Sequence, residues 1–258
     1  MKNVLVMKFG GATVSNPEKF LKVADIIIDK KKEYEHVVVV VSAMGNATDN
    51  LINLAKKVHP IPPKREHDML ISVGERISIS LLAMALLKKG NSAVSFTGSQ
   101  SGIITCNNHS EAKIINVRPF RLIKHLEKKD VVIVAGFQGV SSNGEITTLG
   151  RGGSDTSAVA LGVALNAESV EFYKNVNGIY DKDPKKFKDA QLFENLTYNQ
   201  MLKLTSNGDG VLHSRCVNLA SLNNILLHVK NYRHPKKNGT IIGKKTFEKL
   251  ENPVYELI

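Results

Sequence analysis

The chain has 258 residues, 42% of them hydrophobic, enough to fill the core of one large domain or two small ones, which excludes a disordered or fibrous protein. Its 35 Lys and Arg against 24 Asp and Glu leave a net charge of +11, which raises the question of an anionic partner. Cys106 and Cys216 are too few for a disulfide scaffold and lack metal-ligand spacing, so both are expected to be reduced and structural, with no protein-bound metal. No apolar run approaches the roughly 18–20 residues that cross a bilayer, and the stretch from Met1 to Gly11 has no signal-peptide core; no membrane partner and a cytoplasmic location are expected.

Short apolar runs bounded by turn residues alternate with longer amphipathic stretches, the pattern of an α/β protein. Val4 to Met7 leads into Gly10-Gly11. Asn16 as cap and Pro17 at the first turn open a helix reaching about Lys32. His36 to Val41 is a strand ending at Ser42-Ala43-Met44-Gly45, and a second helix follows Thr48 or Asp49. Pro60-Ile61-Pro62-Pro63 reads as a loop, and a long apolar helix covers about His67 to Lys89, stopped by Gly90. Ser92 to Thr97 and Val131 to Ala135 are further strands, separated by a helix from Pro119 to about Lys129. Their near-continuous Val and Ile content predicts burial on both faces, hence one continuous, mainly parallel sheet between two helical layers.

Four segments carry chemistry. Lys8-Phe9-Gly10-Gly11 combines a cation with paired glycines whose free N–H groups suit a phosphate, although the order is neither a P-loop nor G-x-G-x-x-G. Thr148-Leu149-Gly150-Arg151-Gly152-Gly153-Ser154-Asp155 runs into an apolar helix ending near Asn166, which offers an anion site at the helix N-terminus with a bidentate Arg fork. Tyr173 to Pro184 is an apolar strand followed by Asn-Gly and Asp-Pro turns, as consistent with a simple connection as with a site. Glu75 and Arg76 interrupt the long apolar helix, and from periodicity alone a solvent-facing stripe is the expected place for them.

Taken in this order, the segments resemble the aspartate kinases of the amino-acid kinase family. Lys8 to Val14 resembles K-F-G-G-T-S-V; Ser42 to Leu51 resembles S-A-M-G-x-x-T-x-x-L; Ser72 to Ser78 resembles S-x-G-E-x-x-S. Gly136-Phe137-Gln138-Gly139 with Thr148 to Ala158, Tyr173 to Pro184, Asn207 to His213 and Asn224 to Ile242 continue the match through the chain. The resemblance implies the three-layer αβα amino-acid kinase (carbamate-kinase-like) fold. It also implies transfer of the γ-phosphoryl group of ATP to the β-carboxylate of L-aspartate, with Mg²⁺ on the phosphates. A kinase for another acid, or a non-catalytic binding partner, is the alternative.

Carried over onto this sequence, the resemblance makes Lys8 and Asp155 the catalytic pair, with Asp155 orienting Lys8. It puts Ser42, Thr48, Glu75, Arg151 and Ser154 around the aspartate, moving Glu75 from the solvent stripe into the site. Gly10, Gly11, Lys174, Asn175, Tyr180, Asp183, Lys185 and Gly210 fall on the nucleotide side. Gly210 stands where the pattern has Lys, and Lys174, Asn175 and Asn177 replace Thr, Asp and Asp. It further implies a substrate lobe over about 1–150, a nucleotide lobe over about 151–243, a tail over 244–258 without the usual paired regulatory ACT domains, and a homo-oligomer, taken as a dimer. The basic blocks at 182–188 and 230–249 hold most of the charge excess; with no Trp and no nucleic-acid motif, the expected anion is ATP, not nucleic acid.

Overall fold

The computed structural model describes residues 3–205, 211–244 and 253–256. Strand β1 (Val4–Phe9) enters a single 3-10 turn (Gly11–Val14) and helix α1 (Pro17–Lys30), whose cap Asn16 accepts a hydrogen bond from the Lys19 N–H through its side chain. Then come β2 (His36–Val41), α2 (Ala47–Val58), α3 (Lys64–Ile71), α4 (Val73–Lys88), β3 (Ala93–Phe96), β4 (Ile103–Thr105) and β5 (Ile114–Val117). The middle of the chain supplies α5 (Phe120–Leu126), β6 (Val131–Ala135), β7 (Gln138–Ser141), β8 (Ile146–Thr148) and α6 (Gly153–Ala164). The remainder forms β9 (Ser169–Lys174), β10 (Ile179–Tyr180), β11 (Leu192–Phe193), β12 (Asn195–Leu196), α7 (Tyr198–Thr205), α8 (Ser214–Leu222), β13 (Leu226–Asn231) and β14 (Thr240–Ile242).

Eight strands form the central sheet in the order β12-β14-β13-β9-β1-β2-β6-β3, with every pair parallel except β13 with β14. The valine-rich runs of β1, β2 and β6 are buried on both faces, as their composition predicts. One face packs Phe20, Val23 and Ile27 of α1 and Leu82 and Leu86 of α4 against Leu5, Met7, Val39 and Ile133; the other packs α5, α6 and α8 against Val4, Val6, Val38 and Val134. These two cores make the three layers.

Two expectations are corrected. The sheet is not continuous: β5-β4-β7-β8 form a separate four-stranded sheet, largely antiparallel, and β10 pairs with β11 alone. The long helix expected from His67 to Lys89 is two, α3 and α4, joined at Ser72, which keeps helical dihedrals while its carbonyl accepts a hydrogen bond from Gln138 Nε2 at 2.8 Å. Across that joint, Lys64–Lys88 is long and apolar enough to cross a membrane by length and composition, with a window of mean hydropathy 1.7; 56% of that window is buried inside the protein, as suits a core helix pair.

Candidate functional site

In a parallel sheet the loops leaving the C-terminal strand ends gather at one edge, where open α/β folds hold ligands. Here the turns after β1 and β2, the start of α2, the α3–α4 joint and the N-terminus of α6 enclose a cavity of about 480 Å³, lined among others by Gly11, Ser42, Thr48, Glu75, Arg151 and Ser154. Six of the residues singled out in sequence thus meet in one space. Gly11 is needed for the close approach: a Cβ there would stand 2.6 Å from the Ala43 carbonyl oxygen. Ser42 and Ser154 share a hydroxyl–hydroxyl hydrogen bond of 2.9 Å that ties the turn after β2 to the start of α6.

Glu75 is buried, at 3% exposure, which overturns the solvent-stripe reading taken from periodicity alone. Its Oε1 accepts the Ala43 N–H at 3.0 Å, whereas Oε2 is buried with no hydrogen-bond partner. Burial pushes the carboxyl pKa up to about 7, against the downward pull of the backbone hydrogen bonds and of Lys8. A half-satisfied buried carboxylate is costly unless a ligand completes it.

Beside the cavity, Lys8 at the end of β1 and Lys174 at the end of β9 converge on Asp155 in the first turn of α6. Lys8 Nζ lies 2.6 Å from Oδ1 as an ion pair, and Lys174 Nζ donates to Oδ2 at 2.9 Å. The parallel pairing of β1 with β9 delivers the two ammonium groups to the same strand ends, and Asp155 joins them from the helix N-terminus, where a carboxylate is favoured. Burial alone would raise the Asp155 pKa, but Lys174 and Lys8 together overcome it and hold the carboxyl at about 2. For Lys8 burial wins: its pKa falls below the usual lysine value although Asp155 pulls it up. Gly10 sits against Lys8, a Cβ on it falling 3.7 Å from Nζ. Cys216 is buried nearby, and burial raises its thiol pKa, so it is a neutral structural thiol.

Among the described residues expected on the nucleotide side, only Gly11 lines this cavity, and Lys174 joins Lys8 in the charged cluster. Asn175, Asp183 and Lys185 are exposed and Tyr180 is half-buried, all in the segment after β9; there the Asp183 carboxylate accepts the Lys185 N–H at 2.9 Å, and Asn177 donates to the Tyr180 hydroxyl at 3.4 Å. Gly210 lies outside the described residues. Sequence reasoning passed over Asp68 in α3, fully buried at the cavity's edge. It also passed over Glu171, on the opposite face of β9 from Lys174, where Lys30 lies 3.3 Å away and Tyr173 donates its hydroxyl at 2.5 Å. A glutamate inside a strand run gave no indication of this.

The profile of the amino acid kinase family matches residues 3–231. The chain belongs to this family. Among curated members, the aspartokinase of Bacillus sp. strain MGA3 is 48% identical over 242 residues, covering 94% of this chain and 59% of that protein. The aspartokinase of Mycobacterium tuberculosis strain H37Rv is 46% identical over 252 residues, covering 97% of this chain and 60% of that protein. The crystal structure of aspartate kinase from Synechocystis superimposes with a TM-score of 0.84 at 42% identity, over 96% of this chain and 40% of that one. The chain therefore spans about 60% of the length of the curated relatives it matches.

Proposed function

We propose that this member of the amino acid kinase family transfers the γ-phosphoryl group of ATP to the β-carboxylate of L-aspartate, giving 4-phospho-L-aspartate. The observation that carries the reading is the buried, unpartnered Oε2 of Glu75 in the same cavity as Arg151, with two lysines gathered on Asp155 alongside. That cavity has an anionic end for an ammonium group and a guanidinium for a carboxylate, and the cations beside it suit the phosphates. An amino acid with a second carboxylate fits this charge pattern.

In this reading the aspartate ammonium pairs with Glu75, and its α-carboxylate takes the bidentate fork of Arg151. Ser42, Thr48 and Ser154 supply hydroxyls along the bound substrate. The β-carboxylate is already ionised, so the attack on phosphorus needs no general base and the work is positioning and charge neutralisation. Lys8 offsets the charge on the phosphoryl oxygens, held in place by Asp155, and the N–H groups of Gly10 and Gly11 hold phosphate oxygens. Lys174, Asn175, Tyr180, Asp183, Lys185 and Gly210 are assigned to the nucleotide side. Mg²⁺ would enter as part of MgATP, where phosphate oxygens and water supply most of its ligands.

In this reading residues from about 1 to 150 form the substrate lobe and from about 151 to 243 the nucleotide lobe of a cytoplasmic homodimer. The test is a hydroxamate assay with MgATP and, in turn, L-aspartate, L-glutamate and N-acetyl-L-glutamate. Hydroxamate from aspartate alone is expected. Its absence with aspartate overturns the reading.

A further inference from the structure

Asp68 is 0% exposed, carries a carboxylate, and has no role in the chemistry above. It lies in α3, yet all its partners come from elsewhere in the chain. Oδ1 accepts from the Thr148 hydroxyl at 2.6 Å and the Ser110 hydroxyl at 3.3 Å; Oδ2 accepts from the Thr148 N–H at 3.0 Å and His109 Nδ1 at 2.9 Å; the Ser110 N–H reaches both oxygens at 3.1 and 3.0 Å. Both oxygens are saturated by donors, so the buried charge is solvated by the protein and not by a lysine or arginine.

The two segments it grips are the ones on which Arg151 depends. Ser110 is a non-glycine residue at φ +70°, a left-handed conformation that is unfavourable for a residue with a Cβ and persists only where surrounding contacts impose it. Its carbonyl is the surface on which Gly150 rests: a Cβ on Gly150, itself at φ +71°, would come within 3.0 Å of the Ser110 oxygen. Thr148 ends β8, three residues before Arg151, and its carbonyl accepts the Ala112 N–H at 2.9 Å, closing the same unit from the other side. Arg151 itself is exposed and lines the cavity, so its backbone, held from beneath, decides where the guanidinium points.

We infer that Asp68 is a positioning residue which clamps Ser110 and Thr148 together and thereby aims the Gly150–Arg151 turn at the substrate carboxylate. This rests on the proposed aspartate kinase reading for its substrate but not for its geometry. Asp68→Asn tests it because the amide removes the charge and replaces one acceptor by a donor: the Thr148 and Ser110 hydroxyls must turn round to accept from it, and the Ser110 and Thr148 N–H groups are left to share one neutral oxygen.

The expected result is a rise of about tenfold in KM for aspartate with KM for MgATP and kcat changed less than about threefold, the size of losing one well-made charged hydrogen bond. His109→Ala, outside the cavity, removes a single donor and shifts KM for aspartate in the same direction by about two- to threefold, which keeps the test open if Asp68→Asn folds poorly. A lower Tm with unchanged KM in both variants makes Asp68 merely structural and overturns the inference. Amide hydrogen exchange is read in parallel on the whole chain. Loss of protection that spreads from Ser110 and Thr148 through residues 149–153 in Asp68→Asn supports the clamp, and loss that stops short of 149–153 overturns it. That arm stands even if wild-type protein fails to phosphorylate aspartate, which would sink the functional reading and leave the clamp to be judged on exchange alone.

Discussion

Glu75 and Asp155 are both carboxylates with almost no exposure beside the same cavity, and their neighbours hold them in opposite states. Glu75 has backbone donors on one oxygen and nothing on the other, and its pKa climbs to about 7. Asp155 has an ammonium group on each oxygen and drops to about 2. Burial is the largest influence on both, so what separates them is the neighbouring charge. Asp155 has its charge offset as folded by cations that belong to the protein: Lys174 hydrogen-bonds Oδ2, and Lys8 pairs with Oδ1 as an ion, although Oδ1 lacks hydrogen-bond geometry. Glu75 is incomplete on Oε2, and in the proposed reading its partner is the substrate ammonium group. Where a fold leaves a buried carboxylate unfinished and where it finishes one distinguishes a substrate contact from a support of the machinery.

The largest expected break in this contrast is Lys8→Ala. It removes the buried cation from beside the phosphoryl position and leaves Asp155 with Lys174 alone, so kcat falls by at least about 10²- to 10³-fold, the scale for losing one preorganised charge-stabilising group. Circular dichroism should be unchanged, because β1 keeps its paired neighbours on both sides. Retention of most of kcat would show that the cluster is only a structural ion pair.

Glu75→Gln probes the other carboxylate. Without the charge, the substrate ammonium loses its partner and KM for aspartate rises by about tenfold or more. Stability moves the other way. Because the folded pKa of Glu75 lies above its unfolded value, the folded protein binds the extra proton, and wild-type stability is fully present below about pH 4.5 and is lost as pH rises through about 7. The shift corresponds to about 3 kcal/mol at most, so substrate-free Glu75→Gln should melt higher than wild type at pH 8 and alike at pH 4.5. A variant less stable than wild type at pH 8 would mean that Glu75 is ionised and satisfied in the folded protein. Binding of aspartate should also release about half a proton at pH 7, read by calorimetry in buffers of different ionisation enthalpy.

How much of this was legible in the sequence follows from the same physics. Strands β1, β2 and β6 announced themselves because a strand buried on both faces must be apolar throughout, and each ends in glycine or small residues that turn into the site. Strands β4, β7 and β8 did not: three or four residues rich in Thr, Ser and Gly carry no period, and what pairs them lies far along the chain. The face of α4 was unreadable for a different reason. Val73, Ile77, Met84 and Leu87 are exposed while Ile79, Leu82 and Leu86 are buried, so apolar residues surround the helix and do not say which side Glu75 shares. The motif order brought Glu75 to the site where periodicity failed. It gave no hint of Asp68, whose partners are about 40 and 80 residues away in sequence.

The smallest expected effect sharpens the comparison from the side of Asp155. Lys174 is half-buried, its side chain 20% exposed against 4% for Lys8, so it is the outer of the two cations and the one a nucleotide phosphate can reach. Lys174→Thr leaves the Lys8 pair in place and removes the charge that lowers the Asp155 pKa most. KM for MgATP should rise by about three- to tenfold with kcat little changed, since an outer, partly solvated cation contributes modestly to binding and not to the transferring group. The acid limb moves with it. Asp155 has a folded pKa below its unfolded value, so its contribution to stability is present above about pH 4 and is lost as pH falls toward 2. With Lys174 gone that pKa rises toward the ordinary carboxylate value, the pH-dependent part of the contribution shrinks, and the acid unfolding midpoint moves to higher pH. An unchanged midpoint with an unchanged KM for MgATP would mean that Lys8 alone holds Asp155 ionised and that the outer lysine belongs to neither the support nor the nucleotide.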